Sequence, residues 1–574
     1  MKKQNGCCAF LCRLLSNHWT KALLLNLLVL AVSLLVFGST HETNDEFTIA
    51  AIASGAYGES SPYLVFSNIL YGYFVTFLHT LFQPVNWYIV TQMVFCFVCA
   101  TILSYIFYEK YGSYVGTLIN LSVLFVLALN HYVWLQFSKN SAFIMMTGFL
   151  MVLYAVQKKK RSRWIVGGIF LACVGFMIRY NNIFIVSCFF FLICLIELLI
   201  KQRFSFKKEY WKKNLRLFLS FGVLFACAAS LFLINTVAYR RNTEWKYFME
   251  YSEARSDLLD YGLPKYYDHQ KELNAMGITS TDLVMLKDWN FNDPERFDLN
   301  TLQALVKMQR EDKAEARHEK GIFHQIAGLA NEIGSKAVDL PVGRVMVFAL
   351  VLFLLLCAPR SLWHAGAIVI STVALYGYLY LIGRIVYRAE YGIWLCAAVL
   401  LLYCFDETRL HLHSIRRSVL RKLLLGYTIM LVVSNFTYLR DNWKKIDKVF
   451  EPNMEHAVSD MSADTDHVYL LDVLSFNEID NGFSPFEARP KGLFHNIIFL
   501  GGWSTNAPYT LQVERQNGVT NPYRDVIDSD KLLIVDNKRI ETKIHYIREH
   551  YCATARYELV NCIGGYNIYQ IFSH

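Results

Sequence analysis

The chain has 574 residues, of which 54% are hydrophobic, 15% aromatic and only 18% charged, and its formal net charge is +9. Those proportions exclude a disordered chain and an ordinary charged soluble domain. The apolar residues fall into long blocks, and a helix needs about 20 of them to cross a hydrocarbon core. Backbone polar groups in that medium must pair within their own segment, so the blocks are read as transmembrane helices.

In chain order the expected spans are 21–37, 87–107, 114–134, 142–156, 164–178, 183–200, 217–238, 345–357, 363–381, 391–405 and 423–436. Four basic stretches lie between them: the amino terminus (Lys2, Lys3, Arg13, Lys21), QKKKRSR after 156, KQRFSFKKEYWKKNLR after 200, and LHSIRRSVLRK after 405. With a cytoplasmic amino terminus all four fall on the inner face, as the bias of Lys and Arg in short loops requires. They also account for the positive net charge, so it signals topology and attraction to anionic lipid headgroups. No nucleic-acid partner is expected. The run 63–82 is apolar too, but if it crossed, the later basic loops would switch sides. Its aromatic residues and its interruptions at Asn68, Gly72, Thr76 and His79 suit a helix lying in the outer interface.

The expected fold is therefore an α-helical polytopic membrane protein of about eleven spans with a C-terminal extracytoplasmic α/β domain. Residues 1–437 form the membrane domain, with an acidic outer loop (39–62), an interfacial helix (63–82) and a large outer helical segment (239–343). Residues 438–574 form the α/β domain. There HVYLLDVLSF, KLLIVDN and GGYNIYQIF read as short buried strands, and KRIETKIHYIREHY has apolar residues at helical spacing. Cys552 and Cys562 are the pair available for a disulfide if that compartment is oxidising. The amino terminus reads as an uncleaved anchor, and the location as a plasma membrane.

The stretch HETNDEF, residues 41–47, places His41, Glu42, Asp45 and Glu46 directly after the first span. An acidic loop after the first span, then a short amphipathic piece, an interfacial apolar helix and PVNWY before the second span, together resemble the first outer loop of the GT-C glycosyltransferases. That superfamily includes protein O-mannosyltransferases and lipid A aminoarabinose transferases. The resemblance implies a membrane enzyme that takes a sugar from a polyprenyl-phosphate carrier and passes it to a glycan, lipid or protein acceptor. It also implies a catalytic or site-organising carboxylate at the position of TNDEF. Such transfer needs one base to take the acceptor's proton and cations to hold the leaving phosphate.

Asp45, close to the span and short-armed, is the expected base, with Glu46 next and Glu42 as a substrate-binding group. Asn44 is the expected helix cap. Arginines that break the inner-face pattern are the expected phosphate ligands: Arg179, Arg384 and Arg388, with Arg240 and Arg241 behind them. A divalent metal fits carboxylate oxygens, but only His41 stands near to complete a cage, so the metal ligands stay undetermined and the need for a divalent metal stays open. Glu390 is expected to pair with one of the arginines, and His131 and Trp134 to anchor at the interface. The competing readings are a glycan-lipid flippase or transporter and a non-enzymatic cell-envelope assembly protein. Span interiors with almost no ionisable groups argue against ion-coupled transport.

Overall fold

A computed structural model of the protein describes residues 17–201, 208–319, 322–356, 361–405, 414–447, 453–479 and 483–574. The amino-terminal basic residues up to Arg13, together with parts of the third and fourth basic stretches, lie outside them. Every expected span coincides with a helix. Among the described residues, six helices are long and apolar enough to cross a membrane. A seventh arises if 323–339 and Pro341–Leu354, bent by 98° at their junction, are taken as one.

Two of the expected spans are run together in one helical stretch, Trp87–Tyr132, interrupted at Gly112, whose φ is +72°. The arms fold back on each other there. Asn120 donates to the Ser104 carbonyl and the Tyr108 and Thr117 hydroxyls meet at 3.1 Å. In a straight helix, residues 104 and 120 would stand about 24 Å apart. Only a residue without Cβ takes this φ cheaply, so Gly112 makes the turn.

Helices Phe137–Gln157 and Ser162–Ile178 pack backbone to backbone, because glycines line their contact. A Cβ on Gly175 would stand 2.7 Å from the Met145 amide nitrogen, and one on Gly168 would stand 2.8 Å from the Gly148 carbonyl oxygen. Small residues let helix backbones approach in this way. Ser141 fastens the end of the contact by donating to the carbonyls of Gly175 and Arg179.

The apolar run after the first loop is helical only over Ile69–Leu81, thirteen residues. That is about 20 Å, short of a hydrocarbon core of about 30 Å. It buries Tyr71 and Val75 and exposes Tyr73, Phe74 and Phe77.

The C-terminal domain is a five-stranded sheet. Strands β3 (Val468–Asp472), β4 (Ile497–Leu500) and β5 (Leu532–Val535) are parallel, and β6 (Arg556–Ile563) and β7 (Tyr566–Phe572) complete it antiparallel, in the order β4-β3-β5-β7-β6. The parallel strands are buried throughout, as continuous apolar runs should be. A short parallel pair near the amino terminus, β1 (Thr40–His41) with β2 (Trp134–Leu135), stands apart from this sheet. At the carboxyl ends of β3 and β5, the fully buried Lys543 ammonium lies 2.7 Å from both Asp472 and Asp536.

Several expectations are corrected. Strands β4 and β6 escaped the sequence reading: β4 is only four residues long, and β6 is an exposed edge strand whose polar residues gave no apolar run. The last membrane helix runs Ser414–Asp447, past the expected boundary at 437. Asn44 is the first helical residue of Asn44–Ser54, and Thr43 takes the cap position in extended conformation. Cys552 and Cys562 are not joined to each other in this structure, Cys562 being exposed on β6.

We expect Gly175→Ala to lower the thermal unfolding temperature in detergent by several degrees, because the new methyl meets backbone and overpacking costs about 1–3 kcal/mol. Gly222→Ala, where a Cβ meets nothing within 4 Å, is expected to leave it unchanged.

Candidate active site

Helix Asn44–Ser54 carries Asp45 and Glu46 in its first turn, where the helix dipole favours acid. The strand pair in front of it fixes its position: the Thr40 amide donates to Val133 O and the Glu42 amide to Leu135 O. The two carboxylates face different surroundings. Glu46 is fully buried, accepting from the Phe137 amide at 2.9 Å on one oxygen and from the Thr43 hydroxyl at 2.8 Å on the other. Burial first, and then the adjacent Asp45 carboxylate, push the Glu46 carboxyl up to about 8. Asp45 keeps some exposure and lies 3.6 Å from Arg388. Burial raises its carboxyl as well, against the opposing pull of Arg388, Arg179 and Arg255.

Arg388 also lines a cavity of about 640 Å³. Arg179 and Arg384 line it with Arg388, so the three arginines singled out in the sequence converge on one space. Its remaining walls are largely apolar and come from helices Asn182–Lys201 and Leu362–Ile382: Phe184, Ile185, Leu375, Leu379 and Ile382. Arg384 pairs with Asp260 at 2.7 Å and stands over the Tyr261 ring. Arg179 sits over the rings of Phe66 and Phe137 at 5.1 and 5.2 Å. Among the described residues it has no carboxylate within 4 Å. The cavity therefore holds one cation whose charge is not neutralised locally.

Other expected residues have different places. Glu42 forms an ion pair with the buried Lys139, whose ammonium also faces the rings of Tyr387 and Tyr391. Glu390 does not join an arginine. It accepts from the Tyr376 hydroxyl and lies 3.8 Å from Lys336, because the helix start turns it toward the neighbouring helix. His131 is no interfacial anchor: it is buried between Asn140 and Tyr391, 2.8 and 2.9 Å away. Arg240 and Arg241 are exposed at the end of their helix and do not line the cavity. His41 is buried, and neither ring nitrogen has a hydrogen-bond partner among the described residues. Burial and then Arg489 push it down to about 3, so it is neutral. No group of three His, Cys, Asp or Glu side chains suited to a metal occurs among the described residues.

Two residues near the site were missed. Lys139, a lone cation in an otherwise apolar helix, was a legible signal, since ionisable residues in spans are rarely idle. Arg255 was not legible. Its stretch, SEARSDLLD, reads as a solvated helix, yet Arg255 is buried over the Trp289 ring and within electrostatic reach of Asp45 and Asp260.

Fold and site together describe a multi-pass helical membrane protein with an α/β C-terminal domain and an acid–arginine centre at the end of the bundle. No known family model and no curated protein matches the sequence. Among solved structures, the chain is similar to ArnT from Cupriavidus metallidurans in the apo state (TM-score 0.41, 13% identity, 96% of each chain covered). It is similar also to the same protein bound to undecaprenyl phosphate (TM-score 0.40, 12% identity, 96% of this chain and 97% of that one).

The raised Glu46 carboxyl has a consequence for stability. The folded state holds its proton more tightly than the unfolded chain, so its contribution is fully present below the usual Glu range, about 4.5, and is lost as pH rises through about 8. We expect the thermal transition of the wild type to fall between pH 5 and 9 more steeply than that of Glu46→Gln, measured side by side in one detergent.

Proposed function

We propose that the protein is a membrane glycosyltransferase of the GT-C type that transfers a sugar from a polyprenyl-phosphate donor, with inversion, to an acceptor on the extracytoplasmic side. The observation that carries the reading is the convergence of Arg179, Arg384 and Arg388 on one cavity whose other walls are largely apolar, with Asp45 beside Arg388. Guanidinium groups suit a phosphate, which they grip through charge-assisted hydrogen bonds. Apolar walls on membrane helices suit a lipid chain, and Phe184 and Tyr378 are exposed there, 70% and 62%, toward where lipid would lie.

Asp45 is the proposed base. Its raised carboxyl brings it nearer working pH, where general bases are most effective, and it adjoins the cations that would stabilise the departing phosphate. Glu46, held neutral by burial at moderate pH, then acts chiefly by fixing the turn, through Phe137 and Thr43. Glu42 acts at one remove, through Lys139 and the tyrosines that flank Arg388. No step in this scheme requires a metal.

The extracytoplasmic orientation is supported by the geometry of helix Phe137–Gln157. Its start meets Glu46, and its end, about 30 Å away by helix rise, leads into the basic loop at Lys158. Arg216, from the next long basic stretch, donates to the Lys160 carbonyl and so belongs to that same end.

The test follows release of label from polyprenyl-phosphate-linked sugars in membranes carrying the protein. Asp45→Asn is expected to lower kcat about 100-fold or more with little change in donor KM. Arg388→Ala and Arg179→Ala are expected to raise donor KM about tenfold, the loss of one hydrogen bond to a charged group. Transfer at the wild-type rate by Asp45→Asn would remove it as the base. Lipid movement across the bilayer without sugar release would favour the flippase reading.

A further inference from the structure

The acidic helix is held by the C-terminal domain, through a segment of it fastened both just after the helix and at residues 84–86. Residues 483–494, FSPFEARPKGLF, are fastened at both ends to the first loop region. At one end the Ala488 amide donates to Pro84 O, the Asn86 amide to Phe486 O, and the Asn86 side chain to Pro485 O. At the other end the Gly492 amide donates to Gly55 O and the Phe494 amide to Ala56 O, at 2.9 and 2.8 Å. Gly55 and Ala56 directly follow the helix Asn44–Ser54.

Between these fastenings lies Phe47, one residue past Glu46 and two past Asp45, and only 1% exposed. Its ring meets Phe476 and Phe483 at centroid distances of 5.2 and 5.3 Å, both from the C-terminal domain. The guanidinium of Arg489, itself buried, stands 5.0 Å from the centre of the Phe47 ring and 4.3 Å from that of Phe483, and donates to Ser484 O at 2.8 Å. A planar cation over aromatic rings, tied to a backbone carbonyl, is a rigid contact that a flexible ammonium reproduces poorly. Nothing in these contacts is needed to bury the helix face toward the membrane bundle, where Glu46 and Phe137 already meet.

We propose that segment 483–494 is a positioning strap, and that Arg489, through Phe47, sets the orientation of the Asp45 carboxylate in the active site. The inference rests on the glycosyltransferase reading for its kinetic consequence, and on the packing alone for the clamp. A misplacement of about 1 Å at a base costs on the order of 100-fold in rate, so a contact two residues along the same helix has leverage over chemistry without touching substrate.

The test uses the full chain in lipid nanodiscs, with Arg489→Leu, Arg489→Lys and the milder Phe483→Leu. Two readouts are taken: amide exchange over residues 44–54, and sugar transfer with kcat, donor KM and the pH profile of kcat resolved. In Arg489→Leu we expect exchange over 44–54 to speed up at least fivefold while that of β3 and β5 is unchanged. We also expect kcat to fall at least tenfold with donor KM within twofold, and the basic and acidic limbs of the kcat profile to move. Arg489→Lys should recover part of the loss, and Phe483→Leu should show the same pattern more weakly if Arg489→Leu fails to fold. Unchanged exchange over 44–54 overturns the strap. Faster exchange with kcat within twofold of wild type, or a rise in KM alone, overturns its role in positioning. An inactive wild type removes the functional reading, while the exchange data still decide the clamp.

Discussion

A carboxylate taken out of water costs several kcal/mol unless something compensates it, and this molecule has two in consecutive positions. Much of the architecture at that end of the bundle answers this constraint. Glu46 is answered by a proton and two hydrogen bonds, from Thr43 and Phe137. Asp45 is answered by Arg388 at 3.6 Å and by the more distant fields of Arg179 and Arg255. Those cations are brought in by three separate parts of the chain: the end of one membrane helix, the start of another, and a helix of the polar segment between them. Each needs its own support. The glycine contact between helices Phe137–Gln157 and Ser162–Ile178 sets Arg179, and the Lys139–Tyr387 contact steadies the turn that carries Arg388.

The division between neighbouring acids is what gives the centre chemical sense. Two carboxylates in one low-dielectric place resist ionising together, so one must be kept neutral if the other is to carry charge. The buried partner is Glu46, and the one that retains exposure and a guanidinium is Asp45. A pair of titratable groups driven apart by environment is a common way to divide an acid–base role from a structural one. Arg179 then leaves the cavity with positive charge to spare, the condition an incoming anion requires.

How much of this could be read from the chain alone depended on whether the signal was local. Hydropathy placed a helix at every expected span, because a span is defined by its own residues. The acid cluster was legible because it breaks abruptly from an apolar run. Arg179, Arg384 and Arg388 were legible because cations at that end of the bundle contradict the distribution of the rest. Arg255 was not, since a buried arginine in a polar helix has the same sequence as a solvated one, and Trp289, over whose ring it lies, is thirty-four residues on. The misreadings at Glu390 and His131 have the same origin: their partners, Lys336 and Tyr391, come from distant helices. The exposed strand β6 lacks the apolar alternation by which strands are found.

The fastening of residues 483–494 to residues 55, 56, 84 and 86 joins the last part of the chain to the first. A chain is made from its amino terminus, at about 5–20 residues per second, so the acidic helix is inserted and waiting before the segment that closes over it exists. Through that interval, on the order of half a minute at such rates, the later membrane helices are being added while the acid helix stays unbraced, with Phe47 uncovered. Completion of the C-terminal domain is thus the event that finishes the centre, and a chain cut short after its last membrane helix would be inserted yet lack the contacts that hold its acids in place.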